Sequence, residues 1–385
     1  YTLSYTLSLH DALPICLAKD ELDCLYEKAK FQPIIGNLKD EGRQPEWGKP
    51  YLIHKTKAGT KIAFLAYTFP YYITYAPNGW QVLEPMARLE EDLARPEVRD
   101  ADIIIVLSHL GVRYDEQIAE TYPQVNLVIG SHTHHLFEEG RLVNETYLAA
   151  ADRYGYYLGC IDLTVENGQL IECQVEAIPT KSYILDLDKE DEAFIKAMRE
   201  EGHRRLAQKK VANLGRELDF DETCQLVLQA VCQETHSQLT LLNTGLIMKT
   251  LGPQVTMADL QEALPHQMRM ARLVVTGQEL KEICQEVFTK AELLKNQAIK
   301  GMGFRGKTFG EVITGNFAYK NGNLLYNRRV VDSNEKFSLV LVDQYYFASY
   351  FPTVKEKEVT LLFPDLLREL VAKYLGKNGA NWDKG

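Results

Sequence analysis

Ile103-Ile-Ile-Val-Leu-Ser-His109-Leu-Gly111 and Leu127-Val-Ile-Gly-Ser-His132-Thr-His134-His135 decide how this chain is read. Each begins as an unbroken apolar run, the pattern of a strand buried on both faces, and each ends in small residues and histidine. Strands buried on both faces belong to layered α/β domains, where helices or a second sheet cover each side. Ligands of such sheets gather just beyond the carboxyl ends of the strands. Four of the nine histidines stand at those two strand ends.

The surrounding chain carries the same alternation. Lys61–Tyr67 is another near-continuous apolar run, and Gln32–Leu38, Tyr147–Ala151 and Gly159–Val165 read as further strands. Apolar positions 22, 25, 26 and 29 predict a helix over 20–31, Leu83–Ala94 is amphipathic, and a short helix is expected near Asp115–Thr121. Asp186–Gln208 is a charge-laced helical stretch of the kind that is solvated or bridges domains. Beyond it, helices are predicted at 220–234, 257–262, 277–294 and 365–374, and strands at 239–243, 272–275 and 337–342. The predicted organisation is a non-native leader at 1–15, a first α/β domain at 16–180, a linker helix at 181–210 and a second α/β domain at 211–385. The leader is read from the tandem Tyr-Thr-Leu-Ser repeat at residues 1–8, and the lack of a basic segment before its apolar residues argues against a secretory signal.

With 385 residues, 45% hydrophobic and 25% charged, the chain has the composition of a globular protein of two or three domains. Its longest apolar runs fall far short of the ~18–20 residues that span a bilayer, so no membrane partner is expected. A net charge of −10 argues against binding a nucleic-acid polymer by general electrostatics. Small anionic ligands stay open, because a metal ion inverts the local field. The seven cysteines are scattered without a C-x-x-C pair, the pattern of reduced thiols in a cytoplasmic protein.

Imidazole nitrogens bind borderline divalent ions, and a His-x-His pair on extended chain sends both rings to one side. On residue chemistry alone His109, His132 and His134 are candidate metal ligands, and His135 is left out of the set. The competing reading is that a histidine after an apolar strand is a hydrogen-bonded structural residue. Neither zinc-finger spacing nor an H-E-x-x-H helix occurs, which disfavours a structural zinc module.

Ser-His109-Leu-Gly and Gly-Ser-His132-Thr-His134 resemble the last two metal motifs of calcineurin-like metallophosphoesterases, in the branch of 5'-nucleotidases and 2',3'-cyclic-nucleotide 2'-phosphodiesterases. Ala149-Ala-Ala-Asp-Arg-Tyr-Gly155-Tyr-Tyr-Leu-Gly159 resembles the family's closing hairpin, and Gly36-Asn37-Leu38 its usual Ala-Asn-Leu strand. Leu242-Asn243-Thr-Gly245 and Leu264-Pro265 with Leu273-Val-Val-Thr-Gly277-Gln-Glu-Leu280 are similar to segments of the nucleotidase C-terminal domain. The likeness covers about residues 16–375 and is closest to a cytoplasmic Gram-positive bacterial subgroup.

The resemblance implies part of a four-layer α/β/β/α sandwich followed by an α/β nucleotidase-type domain. It implies two divalent ions (manganese, zinc or similar), one held by His109 and His132 and the other by His134, and hydrolysis of nucleotides or related small phosphoesters. Asn243, Phe304, Arg305 and Phe347 are the expected substrate contacts. The second Gly and the Arg of the family's Asn-x-Gly-Gly-x-Arg motif are replaced by Leu246 and Met248, which weakens the specific reading of 5'-nucleotide hydrolysis. Cyclic-nucleotide or nucleotide-sugar phosphodiesterase activity, or nucleotide binding without catalysis, remain alternatives. The family's Asp-x-His, bridging Asp and Gly-Asn-His motifs do not occur in this chain, including the acid-base histidine. On that reading the chain is an N-terminally truncated fragment, with weak metal affinity and negligible turnover of its own.

Overall fold

The computed structural model describes residues 19–182, 189–299 and 306–378. The chain divides into two compact units at Asp188/Lys189. The first holds a six-stranded sheet made of β1 (Tyr51–Lys55), β2 (Lys61–Thr68), β3 (Ile103–His109), β4 (Leu127–Gly130), β5 (Arg141–Val143) and β6 (Thr146–Ala149). Their spatial order is β1-β2-β3-β4-β6-β5. The four inner strands β2, β3, β4 and β6 run parallel, and β1 and β5 close the two edges antiparallel. Parallel neighbours require crossovers, and the helices Pro85–Leu93 and Val112–Thr121 supply them on one face.

Alternate residues of one strand enter opposite cores, as the pleat dictates. Ala63, Leu65 and Tyr67 of β2 join Ile104, Val106 and Val128 beneath the helical residues Leu89, Leu93, Ile118 and Ala119. Ile62, Phe64 and Ala66 join Ile103, Ile105, Leu107 and Leu127 on the other face. That second face is covered by a long hairpin, β7 (Tyr157–Glu166) with β8 (Gln169–Pro179), through Ile161, Leu163, Val165, Leu170, Cys173 and Val175. Three layers of the expected four are therefore present among the described residues: helices, sheet and hairpin. Each fully buried Leu or Ile in these cores contributes about 1.5–3 kcal/mol relative to leaving it in water.

Two details near the first unit's start differ from the sequence reading. The helix predicted over 20–31 ends at Tyr26, and the strand predicted over 32–38 is reduced to Leu38–Lys39, paired with Gln81–Val82. Asn37 explains the short pairing, because its side chain acts as the clamp. Its amide donates to the Thr68 and Leu83 carbonyls, at 2.8 and 3.2 Å, and its oxygen accepts from Thr68 N–H at 2.9 Å. It is fully buried and fixes the exit of β2.

The second unit begins with the charged helix Lys189–Gln208, whose described side chains are mostly exposed, and which packs on the helix Met257–Ala263. Its five-stranded sheet contains β9 (Leu239–Asn243), β10 (Arg269–Thr276), β11 (Val312–Gly315), β12 (Lys336–Val342) and β13 (Val359–Leu366), in the order β11-β9-β12-β10-β13. Only β9 and β12 are parallel neighbours. The helices Phe220–Glu234 and Gly277–Leu294 start where their sequences predict, each on a capping box, Asp219 with Glu222 and Thr276 with Glu279. β1, β8, β11, β13 and the small meander at 317–330 were not marked by the sequence pattern.

Candidate metal centre

The parallel strands bring three loop entrances side by side. Thr68 pairs with His109 across β2 and β3, and Ser108 with Gly130 across β3 and β4. The residues just past those pairs, Phe69 to Tyr72, His109 to Gly111, and Ser131 to His135, share one edge. Phe69 N–H donates to the His109 carbonyl at 2.9 Å, which extends the β2–β3 pairing one step into the loops.

His109 and His132 meet there. Nε2 of His109 lies 3.3 Å from Nδ1 of His132, with the ring centroids 5.0 Å apart and the planes at 65°. That separation suits two nitrogens sharing one tetrahedral ion at metal–nitrogen distances of ~2.0–2.1 Å. Both rings are half-buried. Aromatic side chains hold His132: Phe69 stacks on it at 4.9 Å and 18°, and Tyr71 meets it edge-on at 5.7 Å, with its hydroxyl 3.4 Å from Nε2. Tyr114 from the helix Val112–Thr121 packs edge-on against Phe69 at 6.0 Å.

The resemblance gives the third histidine an ion of its own. Among the described residues no three His, Cys, Asp or Glu side chains gather into a metal-binding group. The same-side rule for His-x-His assumes extended chain, whereas His132 and His134 both adopt left-handed backbone, at φ 61° and 53°. His134 is half-buried, and His135 is exposed with Nδ1 2.9 Å from Thr133 Oγ1.

Two ties lock the His109 and His132 loops together. At the surface, Val112 N–H donates to Thr133 Oγ1 at 3.0 Å. Gly111 is required there: its φ is 93°, and a Cβ would come within 2.8 Å of Thr133 Cγ2. Beneath them, Ser108 Oγ donates a short hydrogen bond to Asp115, whose other carboxyl oxygen fills the space a Cβ on Gly130 would need. Burial pushes the Asp115 carboxyl up to about 7, against the lowering effect of the Ser108 bond. Asp115, Phe69 and Tyr71 were not among the residues singled out from sequence. For Phe69 and Tyr71 the signal existed, since they follow a buried strand as His109 does. Asp115 carried no signal, because an acid on an amphipathic helix reads as surface.

The residues predicted to bind substrate lie in the second unit. Asn243 ends β9 but is fully buried; its amide donates to the Phe309 carbonyl at 2.6 Å, and its oxygen accepts from the Tyr345 hydroxyl at 2.9 Å. Its polar atoms thus serve the fold. Tyr345, Phe309 and Phe351 form a buried aromatic cluster around it. Phe347 is half-buried against Tyr346, with ring centroids 5.3 Å apart. Phe304 and Arg305 lie outside the described residues. At the end of β12, the Asp343 carboxyl accepts from Arg269 N–H at 3.1 Å, and burial raises it to about 7.

No family model matches the chain. It is 32% identical over 379 residues to YunD, an uncharacterized metallophosphoesterase of Bacillus subtilis, spanning 93% of this chain and 81% of that one. Among solved structures, it resembles a candidate 5'-nucleotidase of Staphylococcus aureus with a TM-score of 0.61 at 14% identity, covering 96% of this chain and 80% of the other. It also resembles the NAD nucleotidase of Haemophilus influenzae, with a TM-score of 0.58 at 14% identity, covering 94% and 79%. These two likenesses concern the fold.

Proposed function

Because the chain belongs to the metallophosphoesterase family, we propose that its His109–His132 pair holds a divalent cation for hydrolysis of small phosphoesters, nucleotides foremost. The observation that carries this reading is the 3.3 Å approach of two ring nitrogens from adjacent parallel strand ends. When bound, such an ion would supply Lewis acidity toward a phosphoryl oxygen and toward water. The chain's own residues set the geometry: Phe69 fixes the plane of the His132 ring, and the Val112–Thr133 hydrogen bond and the seat of the Asp115 carboxyl against Gly130 hold the two loops at one spacing.

The reading includes a second ion at His134, manganese or zinc being the fitting class. Two imidazoles are fewer than the three or four protein ligands a stable ion uses, so weak affinity is expected. The reading keeps Phe347, half-buried in the second unit, as a substrate contact, and leaves Asn243 the role of fixing the fold around Phe309 and Tyr345. A small-molecule partner and a cytoplasmic location fit the charge and the cysteine pattern. No helix among the described residues is long and apolar enough to cross a membrane.

The test is release of phosphate from 5'-AMP and p-nitrophenyl phosphate with and without manganese. The expected result is turnover barely above background, which needs the metal and disappears with chelator or in His132→Asn. Turnover indifferent to both would overturn the assignment.

A further inference from the structure

We propose that Tyr71 is a positioning residue for the histidine pair: its phenolic oxygen accepts the Nε2 proton of His132 and leaves Nδ1 bare toward His109. This rests on the reading that the pair shares a cation, and it adds the group that prepares one of the two imidazoles. A neutral imidazole carries one proton, and the partner of one nitrogen decides which nitrogen keeps its lone pair. In His132 the two nitrogens face different partners, Nε2 at 3.4 Å from the Tyr71 hydroxyl and Nδ1 at 3.3 Å from His109. With the proton on Nε2, the lone pair on Nδ1 points at the position an ion would take between the rings. With the proton on Nδ1, that position is blocked.

The fold holds Tyr71 for this task from several sides. Its N–H donates to the Phe69 carbonyl at 2.8 Å. Its own carbonyl accepts from Thr74 Oγ1 at 2.9 Å and from Tyr75 N–H at 3.0 Å. Its ring packs on Phe69 at 4.6 Å, and Phe69 stacks on the His132 ring at 18°. Tilting of His132 out of its plane is therefore limited by Phe69, and rotation within that plane by the Tyr71 oxygen. Outer partners of this kind, a carboxylate or carbonyl elsewhere, commonly change metal affinity by 10–100-fold when removed.

Tyr71→Phe keeps the ring and deletes only the acceptor. On the full chain without metal, nitrogen-detected NMR of the histidine rings is expected to show His132 protonated at Nε2 with Nδ1 bare. Its Nε2 proton should be visible in the parent protein and lost to solvent exchange in Tyr71→Phe. In a zinc titration followed on the same ring signals, Tyr71→Phe should bind roughly tenfold more weakly, with its melting temperature unchanged. A His132 ring protonated at Nδ1 in the parent, or equal zinc affinity in the two proteins, would overturn the role of Tyr71. Ring signals of the parent that zinc leaves unmoved would instead sink the shared-cation reading, a separate outcome because the tautomer is read without metal.

Discussion

Both units end parallel strands in polar residues, yet they use them in opposite ways. In the first, His109 and His132 stand half-buried with ring nitrogens facing each other across a gap. In the second, Asn243 and Asp343 end β9 and β12, and protein groups occupy their polar atoms: the Phe309 carbonyl, the Tyr345 hydroxyl and the Arg269 N–H. A polar residue at the carboxyl end of a strand thus marks a place where a site can form. Which groups meet there, two imidazoles or an amide with a carbonyl and a hydroxyl, is decided by the loops that follow each strand.

The sharpest way to break this contrast is to delete one polar end from each unit. Asn243→Ala removes two buried hydrogen bonds and strands a carbonyl and a hydroxyl, so a loss of roughly 3–4 kcal/mol is expected in urea or guanidinium unfolding. A loss below about 1 kcal/mol would mean that Asn243 is free to serve a ligand after all.

The two raised carboxyls sharpen the comparison through pH. Asp115 and Asp343 both titrate near 7 in the folded chain, against 3.8 when unconstrained, because burial disfavours their charge. Between those values the folded state binds protons that the unfolded state does not, so the contribution of these two groups to stability is fully present below about pH 4 and is lost as pH rises through 7. Asp115→Asn and Asp343→Asn should each match the parent near pH 4 and exceed it above pH 7, by up to a few kcal/mol. Urea unfolding as a function of pH reads the difference, and a flat difference would show that burial does not control these groups.

Gly111→Ala comes next. A methyl group at φ 93° and 2.8 Å from Thr133 should cost about 1–2 kcal/mol and displace His132 relative to His109. The expected readout is a lower melting temperature together with shifted ring signals of both histidines. The smallest effect on stability belongs to the residue with the largest effect on chemistry. His132→Asn should change unfolding free energy by less than about 1 kcal/mol while removing the response to zinc.

The sequence carried the architecture well where burial was two-sided. β2, β3, β4 and β9 were visible as apolar runs, and the helices at 220–234 and 277–294 as amphipathic periods with capping residues at their starts. Strands covered on one face were harder to see. β1 has no fully buried residue, and β8 alternates with Glu172, Gln174 and Glu176, so neither stands out from loop sequence. His109 and His132 were legible because histidine after an apolar run is unusual. The aromatic side chains around them follow a buried strand as His109 does, but Phe69 and Tyr71 look like ordinary core residues until strand order brings three exits together. For Asn243 a motif resemblance names a position, whereas its burial depends on Phe309 and Tyr345, which lie far away in the chain.

The left-handed backbone at His132 and His134 governs how this edge can be varied. Asparagine and glycine settle into that conformation readily, whereas valine, isoleucine and threonine are pushed out of it by their branched Cβ. A saturation library at the two positions would therefore sort by backbone tolerance before it sorted by chemistry. Depletion of a β-branched variant would report a distorted loop, and only losses shared by asparagine and glycine would report a lost imidazole.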